Sequence, residues 1–233
     1  MKKQILIVGL IVLGILALDQ IIKIYIKSNF SPFESYDLIG SWLRLEYIEN
    51  QGMAFGATLF GGSMWGKLSL SLFRVFAIVG ISYYWYTQAK KNMRLEFLIA
   101  VGLILAGATG NLIDSMAYDY IFEYNPCISF NHLEGSGVIS DCGFLGEQET
   151  RHTGFLYGNV VDMFKFHAFW PEWMPWIGGN EVFPAIWNVA DASISIGVIM
   201  VFLRHRRYFD NKTKTDSEPS QSEVESVETK IET

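Results

Sequence analysis

Cysteine and histidine are scarce in this 233-residue chain, at two and four residues. Cys127 and Cys142 are too few for a disulfide framework. With His132 and His152 they make a conceivable zinc set, but no ligand-pair spacing matches a zinc knuckle. Basic residues are also short, with 18 Lys and Arg against 24 Asp and Glu, for a net charge of −6. Seven acids and three lysines lie from Asp210 onward, so the rest of the chain is close to neutral. A chain without a basic surplus is a poor nucleic-acid partner. Half of the residues are apolar, and they fall in blocks instead of a periodic spread. That pattern speaks against one soluble domain and for membrane spans.

Four blocks are candidate spans, at about 4–26, 65–86, 97–113 and 183–203, the third being the shortest. Each is near the roughly 20 residues that cross a bilayer core. The first block follows Lys2 and Lys3 and runs on into Leu18-Asp19-Gln20-Ile21-Ile22-Lys23 without small residues for cleavage, which favours a retained span over a signal peptide. Basic residues cluster before span one, between spans two and three (Lys90, Lys91, Arg94) and after span four (Arg204, Arg206, Arg207). All three clusters then lie on one side, the cytoplasmic side, with both termini. Segments 28–63 and 114–182 lie outside, and alternation such as Leu43-Arg44-Leu45-Glu46-Tyr47-Ile48 suggests strands there. Residues 1–209 form the membrane domain. Residues 210–233, rich in Ser, Thr and Glu, read as a disordered cytoplasmic tail.

Ionisable residues inside spans are costly and by default functional. At about 1.5 Å per helical residue, Asp19, Asp114 and Asp191 reach similar depth in the outer leaflet from three different spans. Asp19 has Lys23 four residues on, the favourable order for an ion pair, so that pair reads as structural. Asp114, at the end of span three, reads as a solvated or capping carboxylate. Asp191 has no basic residue within a turn and needs a partner from another segment. Asp162, in Gly158-Asn159-Val160-Val161-Asp162, is the candidate. Two close carboxylates share a proton poorly, and a pair with one charged member can activate a water for amide hydrolysis. Carboxylates at such depth also serve proton-coupled transporters, and an inactive scaffold would retain them without using them.

Five blocks of this chain resemble the bacterial lipoprotein signal peptidases (signal peptidase II), in that family's order. They are Asp19-Gln20-Ile21-Ile22-Lys23, Asn50-Gln51-Gly52-Met53-Ala54-Phe55-Gly56, Gly107-Ala108-Thr109-Gly110-Asn111-Leu112-Ile113-Asp114, Gly158-Asn159-Val160-Val161-Asp162 and Trp187-Asn188-Val189-Ala190-Asp191. The resemblance implies an α-helical integral membrane protein with four transmembrane helices and a small extracytoplasmic β-rich cradle. It implies an aspartic endopeptidase of the bacterial inner membrane, active toward the outer leaflet. Its partners would be prolipoprotein signal peptides, cut just before a diacylglyceryl-cysteine, and membrane lipids, with neither cofactor nor metal. It assigns catalysis to Asp162 and Asp191, and support or substrate binding to Asp19, Lys23, Asn50, Gly52, Asn111, Asp114 and Asn188. Phe55 would belong to a loop clamp over the substrate.

Three departures stand out. Ser115 occupies the place of a family arginine that helps to hold substrate; Arg151 is one candidate substitute, although a solvated surface arginine is the plainer reading of it. Asp114 and Asp162 are separated by a long insertion, about 123–157, that holds both cysteines on the oxidising side, where a disulfide is plausible. Trp187 stands where phenylalanine is commoner.

Overall fold

The computed structural model describes residues 2–51 and 64–209. Gly52, Phe55 and the tail from residue 210 lie outside the described residues. The elements in chain order are helix α1 (Lys2–Asn29), strands β1 (Ser35–Ile39) and β2 (Leu43–Asn50), and helices α2 (Met64–Lys90) and α3 (Leu95–Ile121). There follow strands β3 (Ile139–Asp141), β4 (Glu147–Glu149), β5 (Val160–Phe166) and β6 (Ile186–Trp187), then helices α4 (Val189–Leu203) and α5 (His205–Phe209). Among the described residues α1, α2 and α3 are long and apolar enough to cross a membrane, while α4 is apolar but shorter.

Helix α3 is the central element, with α1, α2 and α4 packed around it. Glycine allows the closest approaches. A Cβ on Gly107 would overlap the Ala190 carbonyl of α4, and one on Gly197 would lie 2.5 Å from the Ala100 carbonyl of α3. Lipid is as apolar as leucine, so helices in a membrane associate through such close packing and not through a hydrophobic drive. At one end of the bundle Arg204 pairs with Glu96 at 2.8 Å.

The other end carries an antiparallel sheet in the order β1-β2-β5-β6. Alternation along the strands sorts its residues by face. Tyr47, Val161 and Met163 join Ile26 of α1 and Tyr118 of α3 in an apolar cluster. Asp162, paired in register with Ile48, falls on the opposite face. Gly158 seats β5 on α3: its N–H donates to the Ser115 carbonyl at 3.0 Å, and a Cβ there would come within 2.5 Å of the Asp114 carbonyl.

Two expected boundaries move. Span three is not the shortest: α3 runs 27 residues and continues two turns past Ile113, so Asp114 lies within a helix and caps nothing. The chain enters α4 at Val189 instead of Phe183. Pro184 disfavours helix at the residue before it, residues 186–187 pair with β5 instead, and the true start is a capping box. The Asn188 side chain accepts from the Asp191 N–H, and the Asp191 side chain accepts from the Asn188 N–H.

The insertion is ordered. Cys127 and Cys142 are joined in a disulfide, which removes both thiolates from any zinc set. Arg151 clasps the insertion to α3. It makes a two-pronged pair with Asp119 at 2.7 and 2.9 Å, donates to Asn131 Oδ1 at 2.8 Å and lies over the Tyr124 ring. The Arg151 and Asp119 side chains are buried, so Arg151 is not a solvated surface residue, and with its donors taken up by the insertion and α3 it is not free to replace the missing family arginine. Asp119→Ala would strand the guanidinium, and a buried ion robbed of its partner costs about 3–5 kcal/mol. Thermal unfolding of the purified protein in detergent should show a correspondingly large loss of stability, larger than that of Arg44→Ala on the exposed pair with Asp37.

Candidate active site

The site is built around a cation with no contact to solvent. Lys23 projects from α1 and is fully buried. Its three N–H groups meet Asp19 Oδ2 at 2.9 Å, Asp114 Oδ2 at 2.8 Å and Asn111 Oδ1 at 2.9 Å. A lysine ammonium has three donors, and all three are used. The carboxylates are completed by other donors. Asp19 Oδ1 accepts the Ala190 N–H of α4 at 2.9 Å, Gln20 gives its amide to Asp114 Oδ1 at 2.9 Å, and the Val161 N–H of β5 reaches Asp114 Oδ2 at 3.4 Å. Asp19 and Lys23 are the structural ion pair expected from their spacing. Asp114 is its third member, not a solvated helix end.

This cation fixes the orientation of two asparagines. Asn111 Oδ1 faces Lys23, so its amide nitrogen turns to Asp191 Oδ1 at 2.8 Å. Asn188 Oδ1 is held by the Asp191 N–H, so its nitrogen points to Asp162 Oδ1 at 2.6 Å, with Asn111 Oδ1 and the Val161 carbonyl each at 3.2 Å. The Asn188 backbone N–H also donates to Asp191 Oδ2 at 3.3 Å. One residue therefore touches both Asp162 and Asp191, and the two carboxylates lie within electrostatic range of each other. Asn50, at the end of β2, hydrogen-bonds Asp162 as well. Burial pushes the Asp162 carboxyl well above the usual carboxylate range, and the neighbouring Asp191 adds to the effect. Lys23 and the amides of Asn188 and Asn50 act in the opposite sense.

All of the sequence candidates that fall within the described residues meet here: Asp19, Lys23, Asn50, Asn111, Asp114, Asp162, Asn188 and Asp191. Two participants were missed. Gln20 ties Asp19 to Asp114 and is itself bonded by the Tyr118 hydroxyl at 3.1 Å. Arg74, from the middle of α2, reaches Ser115 Oγ at 3.5 Å and lies within electrostatic range of Asp191, Asp114 and Asp162. An arginine interrupting an apolar span was a readable sign of function.

The signal peptidase (SPase) II family model matches residues 11–206. The chain is similar to a lipoprotein signal peptidase of Porphyromonas gingivalis, 35% identical over 93% of this chain and 95% of the relative. It is also similar to one of Amoebophilus asiaticus, 29% identical over 92% and 84%. In fold it resembles a bacterial membrane enzyme solved by the in meso method at 2.3 Å resolution, with 22% identity, a TM-score of 0.54 and coverage of 91% and 93%. The transporter reading finds no support among these relatives. Two aspartates brought together where strand β5 meets the apolar helix α4, and a match along nearly the whole length, lead to one conclusion: the chain belongs to the signal peptidase II family, proteases that cleave the signal peptides of lipoproteins.

Proposed function

We propose that Asp162 and Asp191 are the catalytic pair, and that the substrate is a prolipoprotein whose cysteine already carries diacylglycerol. The observation that carries the dyad is Asn188, which hydrogen-bonds both carboxylates and holds them at one point where β5 meets the start of α4. Asp191 accepts the Asn111 amide and the Asn188 backbone N–H in the first turn of α4. Burial favours the protonated form of Asp162. A water between them then has its base and its acid. Asp191 takes a proton as the water oxygen bonds to the scissile carbonyl carbon, and Asp162 gives its proton to the carbonyl oxygen. Collapse of the tetrahedral diol breaks the C–N bond, the proton held by Asp191 leaves with the amine, and one diol hydroxyl returns its proton to Asp162.

On this reading the chain crosses the bacterial inner membrane four times, α4 being the fourth span, with both termini in the cytoplasm and the sheet on the outer surface. The dyad then opens to the outer leaflet, where the substrate's acyl chains remain in lipid while its peptide reaches the carboxylates. Asp19, Lys23, Asn111, Asp114 and Asn188 position the pair. Gly52 and Phe55, which follow β2 in the sequence, contribute to the cover over the peptide. Arg74 supplies the cation that the family has at the position of Ser115, from a different helix but toward the same carboxylates.

Asp162→Asn and Asp191→Asn should each leave a folded protein and abolish cleavage of a diacylglyceryl-modified substrate by purified enzyme in detergent. Near wild-type activity in either variant would sink the assignment. With Asp162 as the acid, kcat/KM falls on the alkaline side as that carboxyl loses its proton. Asn50→Ala removes a donor that favours the charged form, so the alkaline limb should move to higher pH. A hydrogen bond to a charged group is worth about 1.5 kcal/mol or more, which corresponds to about one pH unit. Arg74→Gln should raise KM for the lipidated substrate with little change in unfolding temperature, and Arg74→Lys should restore part of the loss.

A further inference from the structure

Strands β5 and β6 are joined by an excursion, residues 167–185, that the peptidase chemistry does not use. Its neck is a ladder: Phe169 bridges Glu181, the Trp170 N–H meets the Asn180 carbonyl at 2.9 Å, and the Val182 N–H meets that of Ala168 at 2.8 Å. Its tip is folded on itself. The Met174 N–H donates to the Pro171 carbonyl, the Gly178 N–H to that of Met174 and the Gly179 N–H to that of Trp170, each at 3.0 Å. Gly178 sits so close that a Cβ would meet the Glu172 carbonyl at 2.5 Å. The tip is thus a built element that holds its side chains in place.

What it holds out is apolar and aromatic. Trp176 is 98% exposed and Trp173 79%, with Phe169, Trp170, Ile177, Val182 and Phe183 partly bare beside them. Trp176 also has φ of 66°, a conformation rare for a bulky residue, while its side chain gains no packing within the chain. A contiguous apolar surface of this kind marks a contact with something else.

Two observations choose the occupant. The excursion returns through β6 directly into the apolar helix α4, only two residues after Trp187. An aromatic stack joins its base to the sheet, Trp42 on Phe166 at 6.0 Å, Phe166 on Trp187 at 5.5 Å and Phe166 on Phe183 at 6.1 Å. Its foot therefore stands where α4 begins, at the level of the water–lipid boundary. Three of these seven residues, including the two most exposed, are tryptophan, whose ring is apolar and whose N–H is polar, the side chain enriched at that boundary. Residues 166–183 contain no lysine or arginine, and their charged residues are Glu172 and Glu181. Attraction to anionic lipid has no foothold.

We propose that the tip of this hairpin, Trp173 and Trp176 above all, inserts into the headgroup region of the lipid bilayer and anchors the sheet, with Asp162 on β5, at a fixed height above the hydrocarbon. The contact is apolar and aromatic, independent of lipid charge. The inference rests on α4 being membrane-embedded, and its readout needs no peptidase activity, so it stands or falls separately from the dyad.

The test compares the full-length wild type with Trp173→Ser/Trp176→Ser, both reconstituted in phosphatidylcholine vesicles. The difference in their tryptophan emission isolates the tip. That component should be blue-shifted from indole in water, and quenched several-fold more by phosphatidylcholine brominated high on its acyl chains than by aqueous iodide. It should not change when phosphatidylglycerol is added or when salt is raised. Stronger quenching by iodide would place the tip in water and overturn the proposal, as would quenching by neither, which would mean that protein covers it. A dependence on phosphatidylglycerol or salt would overturn the charge-independent contact. Equal unfolding temperatures in detergent establish that the variant retains the fold, and Trp176→Ser alone supplies the same difference measurement if the double variant does not.

Discussion

Everything at the reactive end of this protein hangs on one buried ammonium group. A charge in a low-dielectric interior is tolerated only when its partners are complete, because desolvation of an ion costs several kcal/mol that imperfect geometry does not return. Lys23 meets that condition with nothing left over, its three donors going to Asp19, Asp114 and Asn111. Each acceptor is in turn tied to another element. Asp19 takes a backbone N–H from the start of α4, Asp114 takes one from β5, and Asn111 belongs to α3. One cation thereby sets the relative positions of α1, α3, α4 and the strand that bears Asp162.

The same cation carries chemical information. An asparagine amide has two ends that look alike in shape and opposite in charge. Because lysine only donates, Asn111 has to offer it oxygen, and its nitrogen is left for Asp191. Asn188 is oriented in the same way by the Asp191 N–H, which leaves its nitrogen for Asp162. Asp191 thus receives one side-chain amide, from Asn111, and Asp162 two, from Asn188 and Asn50, and neither the Asn111 nor the Asn188 amide is free to flip. The two carboxylates still differ, since Asp191 stands in the first turn of a helix and Asp162 on a buried strand.

Much of this was legible because charges in apolar blocks are conspicuous. Asp19 and Lys23, four apart in an otherwise apolar helix, announced a pair, and Asp191 without a local partner announced a need. What stayed hidden depended on distance along the chain or on the limits of hydropathy. The α3 helix outlasts its apolar stretch because a backbone helix needs no lipid, and its polar end is instead covered by the insertion through Asp119 and Arg151, 32 residues apart. The start of α4 was written in Pro184 and Asn188, yet the apolar run from Phe183 masked both signals. Arg74 was visible as an interruption of α2, but nothing local tells which carboxylates an arginine will face.

The short fourth helix is a consequence of where the site lies. Helices α3 and α4 run antiparallel between two cross-links, Glu96 with Arg204 at one end and Asn111 with Asp191 at the other. The rise is about 1.5 Å per residue, and the stretches of α3 and α4 between these links are nearly equal in length, so both links close without strain. Above Asp191 the helix stops after one turn, and the backbone passes at once into strand β6. Backbone that leaves a helix must have its polar groups satisfied elsewhere. Here the Asn188 cap and the pairing of Ile186 and Trp187 with β5 satisfy them. A helix continued upward from Val189 would have surrounded Asp191 with its own turns and removed the first-turn position at which its carboxylate accepts the Asn188 N–H. Ending the helix at that level turns the Asn188 cap toward β5, so that one residue reaches both carboxylates.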